Sequence, residues 1–230
     1  MRLSDPSRLP RLLLLGLGLL PLCAACVPPP RAAQAPVAAA PPQAAEAPPR
    51  EADEYSRYEL LDPDSSRFHI LFEVTAIAPS ATVYFNPIRK GSEASDESVR
   101  DRATSRPLPF EVVSGEEARR SGLPEADPAT DYIRIHLPRP VPPEGGVRLL
   151  IEKTYKDAKS YRREGPDRIV FARTLGIRRN AVVLPPGYEL IGCNVPSQIL
   201  TGPDGRLVVS LMHTGPEAVP LVLTARRLGS

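Results

Sequence analysis

Beyond residue 55 the apolar residues recur mostly at alternate positions, and that period restricts the fold more than any other feature of the chain. In 67–78, Phe68, Ile70, Phe72, Val74 and Ala76 fall on one side, with His69, Glu73 and Thr75 opposite. In 147–155, Val147, Leu149, Ile151 and Tyr155 alternate with Arg148, Glu152 and Thr154. A strand turns successive side chains to opposite faces, so such runs predict strands with one buried face. Shorter runs of the same kind lie at 82–85, 108–113, 132–137, 168–171, 181–184, 188–191, 206–212 and 220–225. Pro63-Asp64, Pro186-Gly187 and Pro203-Asp204-Gly205 mark turns between them.

One stretch reads as a helix. Ser114 can cap a short turn with Glu116 and Glu117 at its start, Arg119 and Arg120 after them, and Gly122 to end it. Many short strands with a single helix predict an all-β, mainly antiparallel, sandwich-like fold rather than repeated βαβ units. Lys, Arg, Ser and Gly cluster at 156–167, which predicts two packed β subdomains, 51–155 and 156–230. The first carries 13 basic and 19 acidic side chains and the second 11 and 6. Opposite net charges favour packing of one on the other, or else mark two partner faces.

The chain begins with the three parts of an export signal in order. Arg2, Arg8 and Arg11 precede an apolar run from Leu12 to Leu20, and Cys23-Ala24-Ala25-Cys26 follows. The apolar run is shorter than the roughly 20 residues a permanent span requires. This region resembles the signal peptide and lipobox of bacterial lipoproteins, in which small residues precede a cysteine that receives lipid. Ala24 and Ala25 fill the two positions before Cys26, while Cys23 stands where the family usually has Leu. The resemblance covers the leader alone, residues 1–25 and the modified Cys26, and the Cys23 departure keeps ordinary signal-peptidase cleavage as the alternative. It implies a lipid on Cys26 and a membrane partner through that anchor. With Val27 rather than Asp next, it implies the outer membrane of a bacterial envelope, facing the periplasm.

Residues 26–50 then read as a disordered tether. Of the residues in 27–50, 17 of 24 are Pro or Ala, too little apolar surface to fold. A polyproline form rising ~3.1 Å per residue would hold the following domain up to about 70 Å from its anchor.

Charge narrows the function classes. Loss of Arg2, Arg8, Arg11 and Asp5 with the leader reduces totals of 29 basic and 27 acidic side chains to 26 of each. A neutral chain without a basic cluster argues against a nucleic-acid partner. Cys23, Cys26 and Cys193 are too few for a disulfide scaffold, and Cys193 reads as a buried structural cysteine despite the adjacent Asn194. The GxSxG, HExxH, SxxK and Gly-rich phosphate-loop motifs do not occur. His69, His136 and His213 lack ligand spacing, so no metal, cofactor or catalytic residue is expected from local pattern.

Three further clusters are surface features on this reading. Glu93, Asp96, Glu97 and Asp101 in 91–102, with Glu125, Asp127 and Asp131, read as solvated polar loops, because their spacing does not match a calcium ligand ladder. The pairs Arg162-Arg163, Arg178-Arg179 and Arg226-Arg227 would suit anionic headgroups or an acidic partner if they shared one face. Pro196 predicts an edge strand or a bulge.

Two functional readings follow. The first is a membrane-tethered, non-catalytic envelope module that binds a protein or glycan or braces an assembly, with contacts spread over a face or edge. The second is an envelope hydrolase or metal-dependent enzyme, in which two histidines and a carboxylate would converge in one pocket.

Overall fold

The structure, a computed structural model, describes residues 52–215 and 217–229. The leader, Cys26 and the Pro/Ala-rich stretch lie outside the described residues.

Three sheets form the body. A seven-stranded sheet runs β12 (Ser197–Thr201), β13 (Leu207–Met212), β10 (Arg179–Val183), β1 (Glu54–Leu60), β2 (Arg67–Ala76), β7 (Val147–Lys156) and β4 (Glu93–Asp101). Its β1–β10 pairing is parallel and its other pairings are antiparallel. A four-stranded sheet runs β11 (Tyr188–Cys193), β14 (Val219–Arg227), β9 (Arg168–Leu175) and β8 (Tyr161–Arg163). A three-stranded sheet runs β3 (Val83–Pro87), β6 (Tyr132–His136) and β5 (Phe110–Val113). The fold is therefore all-β and mainly antiparallel, with one short α-helix, α1 (Gly115–Arg120), among the described residues.

Alternation produces this architecture directly. Along β2 the even-numbered positions Phe68, Ile70, Phe72, Val74 and Ala76 are buried while the odd ones are half-exposed. In register beside them, β7 buries Val147, Leu149, Ile151 and Tyr155. The four-stranded sheet closes over this face through β9, whose Phe171 ring lies 5.3 Å from Phe68 and 5.5 Å from Tyr58. Such tilted and edge-on aromatic pairs add stabilisation beyond the area they bury. One core cluster joins residues from all three sheets, including Ile133 and Ile135 of β6.

Sheet pairing crosses the boundary expected at 155/156. Residues 155 and 156 both belong to β7, and β10, β12 and β13 hydrogen-bond into the same sheet as β1, β2, β4 and β7. The ion pairs Asp64–Arg163, Asp53–Arg179 and Glu59–Arg206 each join an acid before that boundary to a base after it.

The region 91–102 differs from its reading as a loop. It contains β4, an edge strand paired to β7 and broken by a bulge between Ser95 and Ser98. Its polar side chains serve cross-strand contacts, Ser98 Oγ to Glu152 at 3.0 Å and Arg67 to Asp96 at 3.3 Å, so backbone pairing rather than apolar alternation makes it a strand. At the opposite edge β12 follows Pro196 and exposes all five residues, Ile199 and Leu200 included.

The helix forms where its cap demands. Ser114 Oγ accepts a hydrogen bond from the Glu117 N–H at 3.2 Å, satisfying one of the free donors of the first turn. Gly115 is required by close packing, since a Cβ there would sit 1.9 Å from the Asp127 carbonyl oxygen.

Candidate functional site

Two strands that should line the core with apolar side chains each break their series with a cation. On β7 the inward series Val147, Leu149, Ile151 and Tyr155 is interrupted by Lys153. On β9 the series Ile169, Phe171 and Leu175 is interrupted by Arg173. Lys153 is 5% exposed, and the Arg173 side chain is 9% exposed. A buried cation is costly unless a counter-charge accompanies it, so the partners of these two decide what the place can do.

Arg173 lies within an aromatic box. Its guanidinium carbon is 5.4 Å from the Tyr58 ring centre and 5.5 Å from those of Phe68 and Tyr155. Cation–π attraction steadies it but fills none of its hydrogen-bond donors. Nη1 is buried without a hydrogen-bond partner. Asp157 Oδ2 is the nearest carboxylate oxygen, at 4.0 Å, too far for a hydrogen bond. That carboxylate is already committed: it accepts from Ser92 Oγ at 3.2 Å, Ser160 Oγ at 2.6 Å, and the Lys159 and Ser160 N–H groups. Burial pushes the Asp157 pKa up, yet these hydrogen bonds outweigh it and hold the group below the usual carboxylate value.

Lys153 stands opposite Ile70 on β2, and on its other side lies the β4 bulge carrying Asp96 and Glu97. Asp96 adopts φ 57°, and bulges commonly re-aim side chains beside functional sites. The Lys153 ammonium donates to Asn86 Oδ1 at 2.5 Å and to the Pro87 carbonyl at 3.3 Å. Both acceptors are neutral and come from β3, so among the described residues no carboxylate pairs with this cation. Burial, then repulsion from Arg173, pushes its pKa down to about 7, and Glu97 offsets part of this. Arg89, whose N–H donates to Tyr155 Oη at 3.1 Å, adds a third cation whose pKa burial and Arg173 also lower.

These side chains border a cavity of about 320 Å³. Ser56 and Tyr58 of β1, Ile70 and Phe72 of β2, and Asn86 of β3 complete its walls, and Thr174, Gly176 and Ile177 form its rim. The size and the mix of apolar wall with a few polar groups are those of a small-ligand site. A neighbouring cavity of about 740 Å³ shares Gly176 and Ile177 and is bordered by Asp53, Arg179 and His213. Of its charges, Asp53 pairs with both Arg148 and Arg179, whose hydrogen bonds and charges hold its pKa low.

The side chains singled out in the sequence are dispersed. His69 on β2 lies 3.7 Å from Glu152, His136 on β6 lies 3.1 Å from Glu111, and His213 donates Nε2 to the Ile177 carbonyl at 2.9 Å. Among the described residues no three His, Cys, Asp or Glu side chains are grouped as metal ligands. Cys193 is half-buried on β11, packed against the core, rather than fully buried. Asn194 is occupied locally, donating to the Pro220 carbonyl and accepting from the Val222 N–H. Of the arginine pairs, Arg163 on β8, Arg179 on β10 and Arg226 on β14 pair with Asp64, Asp53 and Glu189 respectively.

No protein-family model matches the chain, and no curated protein matches it in sequence. Among solved structures it is similar to an M1 zinc metallopeptidase from Deinococcus radiodurans, with 11% identity and a TM-score of 0.47 over 77% of this chain and 42% of that one. It is also similar to an aminopeptidase N family protein from Idiomarina loihiensis, with 8% identity and a TM-score of 0.43 over 74% of this chain and 29% of that one. The chain spans less than half the length of either.

Proposed function

We propose that this chain is a membrane-tethered binding module of a bacterial envelope, non-catalytic, whose working surface is the pocket between β7 and β9. One observation carries the binding reading: Lys153 and Arg173 are buried at the wall of a cavity, and neither has a carboxylate within hydrogen-bonding distance among the described residues. A fold keeps unmatched buried charge at a cost to its own stability, and binding sites are where such a cost persists. The envelope and tether parts of the reading rest on the leader, Cys26 and the Pro/Ala-rich stretch.

Each part has its own test. Mass spectrometry of the protein purified from membranes should find an acylated amino terminus at Cys26, and Cys26→Ala should release the chain from the membrane fraction. An unacylated terminus at any other residue overturns the tether. For the pocket, ligand-observed NMR of the full chain against a mixed set of small carboxylates, phosphates, sugars and neutral amides should yield binders that Ser56→Phe, which fills the cavity, abolishes. Absence of any binder from that set overturns the pocket as the working surface.

A further inference from the structure

We infer that this pocket takes a small monocarboxylate with an apolar or aromatic body, its carboxylate seated between the guanidinium of Arg173 and the ammonium of Lys153. The inference rests on the pocket being the binding surface and adds the class of ligand.

Four observations converge on that class. Arg173 presents a planar fork, Nη1 lacks a partner, and the fork matches the two oxygens of a carboxylate. Lys153 donates to Asn86 Oδ1 and the Pro87 carbonyl, neither of which neutralises it, so an anion supplies the missing charge. The wall beside them is apolar, built from Tyr58, Ile70 and Phe72, which suits an acyl or aryl body.

Charge count supplies the fourth. Asp157, already holding four donors, comes no nearer to Arg173 than 4.0 Å, and Glu97 offsets Lys153 only in part, so the positive charge between the two cations has no counter-ion in contact with it when Lys153 is protonated. One carboxylate balances it. A phosphate dianion would overshoot it and would lose more hydration against the aromatic wall.

Binding is then coupled to the Lys153 proton. The groups set against that amine are Arg173 from β9, Glu97 in the β4 bulge, the Tyr155 ring of β7, and the Asn86 and Pro87 oxygens of β3. A carboxylate placed among them favours the ammonium, so the ligand draws a proton onto Lys153 above pH 7. Affinity should weaken by up to about tenfold per pH unit in that range.

The test is isothermal titration calorimetry of the full chain with 3-phenylpropionate, its neutral amide and phenylphosphonate. The carboxylate should bind best, and Arg173→Met and Lys153→Met should each weaken it about thirty-fold or more. The pH slope should vanish in Lys153→Met. Should a variant fail to fold, the wild-type chain still decides, because bound carboxylate should shift the Arg173 Nε–H resonance while the amide leaves it in place. Equal affinity for acid and amide, or a carboxylate affinity indifferent to both substitutions, overturns the assignment. Preference for the phosphonate with loss in both variants sinks the carboxylate and leaves the pocket reading standing. If none of the three compounds binds, the carboxylate falls, and the mixed set with Ser56→Phe decides the pocket separately.

Discussion

Phe68 and Phe72 stand on the same face of β2, two pleat repeats apart with Ile70 between them, and their surroundings differ completely. Phe68 is fully buried, edge-on to Tyr155 at 6.0 Å and to Phe171 at 5.3 Å, with Leu60 beside it across the sheet. Phe72 is 9% exposed and borders the cavity with Ser56 opposite it on β1. The same four strands, β1, β2, β7 and β9, therefore build a sealed end and an open end of one core. Stability is concentrated at the first, and unmatched charge is held at the second. The contrast shows that the open end is no failure of packing: the rings that seal the core, Phe68 and Tyr155, are the ones that also grip Arg173.

Identical truncations on the one strand test this contrast most strongly. Phe68→Ala should cost about 3–5 kcal/mol, because its rigid aromatic neighbours cannot close over the void. Phe72→Ala should cost at least about 1 kcal/mol less, since the space it leaves joins a cavity water can enter. Chemical denaturation of the two variants gives the comparison. Equal losses would mean that the two ends are packed alike.

The next effect is pH-dependent and of opposite sign. Unfolded, Lys153 keeps its proton up to about pH 10.4. In the fold its pKa is about 7. Between these values the unfolded chain binds the extra proton, so stability rises as pH climbs through the window, and below pH 7 the penalty is complete. Lys153→Met removes the penalty. It should stabilise the unliganded chain by about 1–4 kcal/mol at pH 6, with the gain shrinking toward pH 10. Urea midpoints of both proteins at pH 6 and 9.5 measure it, and a loss of stability at pH 6 would mean that the cation is well matched in the fold.

Much of the sealed end was legible from residues alone, and little of the open end was. Phe68, Ile70, Val74, Leu149 and Ile151 announce an inward face because a strand repeats every second residue. Ser114 announces the helix because its hydroxyl is needed by the first turn. The signal at the open end was present too: position 153 completes the series 147, 149, 151 and 155, and position 173 completes 169, 171 and 175, each with a cation. Period-two reading tolerates one polar residue in such a run and passes over it. That β7 and β9 face each other, that the Asp96–Glu97 bulge flanks Lys153 and that Asn86 caps it are facts of tertiary pairing, for which no local pattern exists. The strands β8 and β12 escaped notice for a related reason. Tyr161–Arg163 is too short to show a period, and Ser197–Thr201 buries neither face.

The smallest effect gives the sharpest discrimination. Ser56 is 5% exposed and lies on β1 with its neighbours Phe72 and Asn180 in register, at the wall of the cavity. Leu60, further along that strand on the same face, is 1% exposed and belongs to the sealed end. Leu60→Ala should cost about 2–5 kcal/mol. Ser56→Ala should change stability by no more than about 0.5 kcal/mol, because its hydroxyl supports no strand and faces space rather than packed atoms. Thermal unfolding resolves the two. A loss above about 1 kcal/mol for Ser56→Ala would show that the hydroxyl holds a buried partner and that the wall it belongs to is structural, which would move the boundary between the two ends past β1.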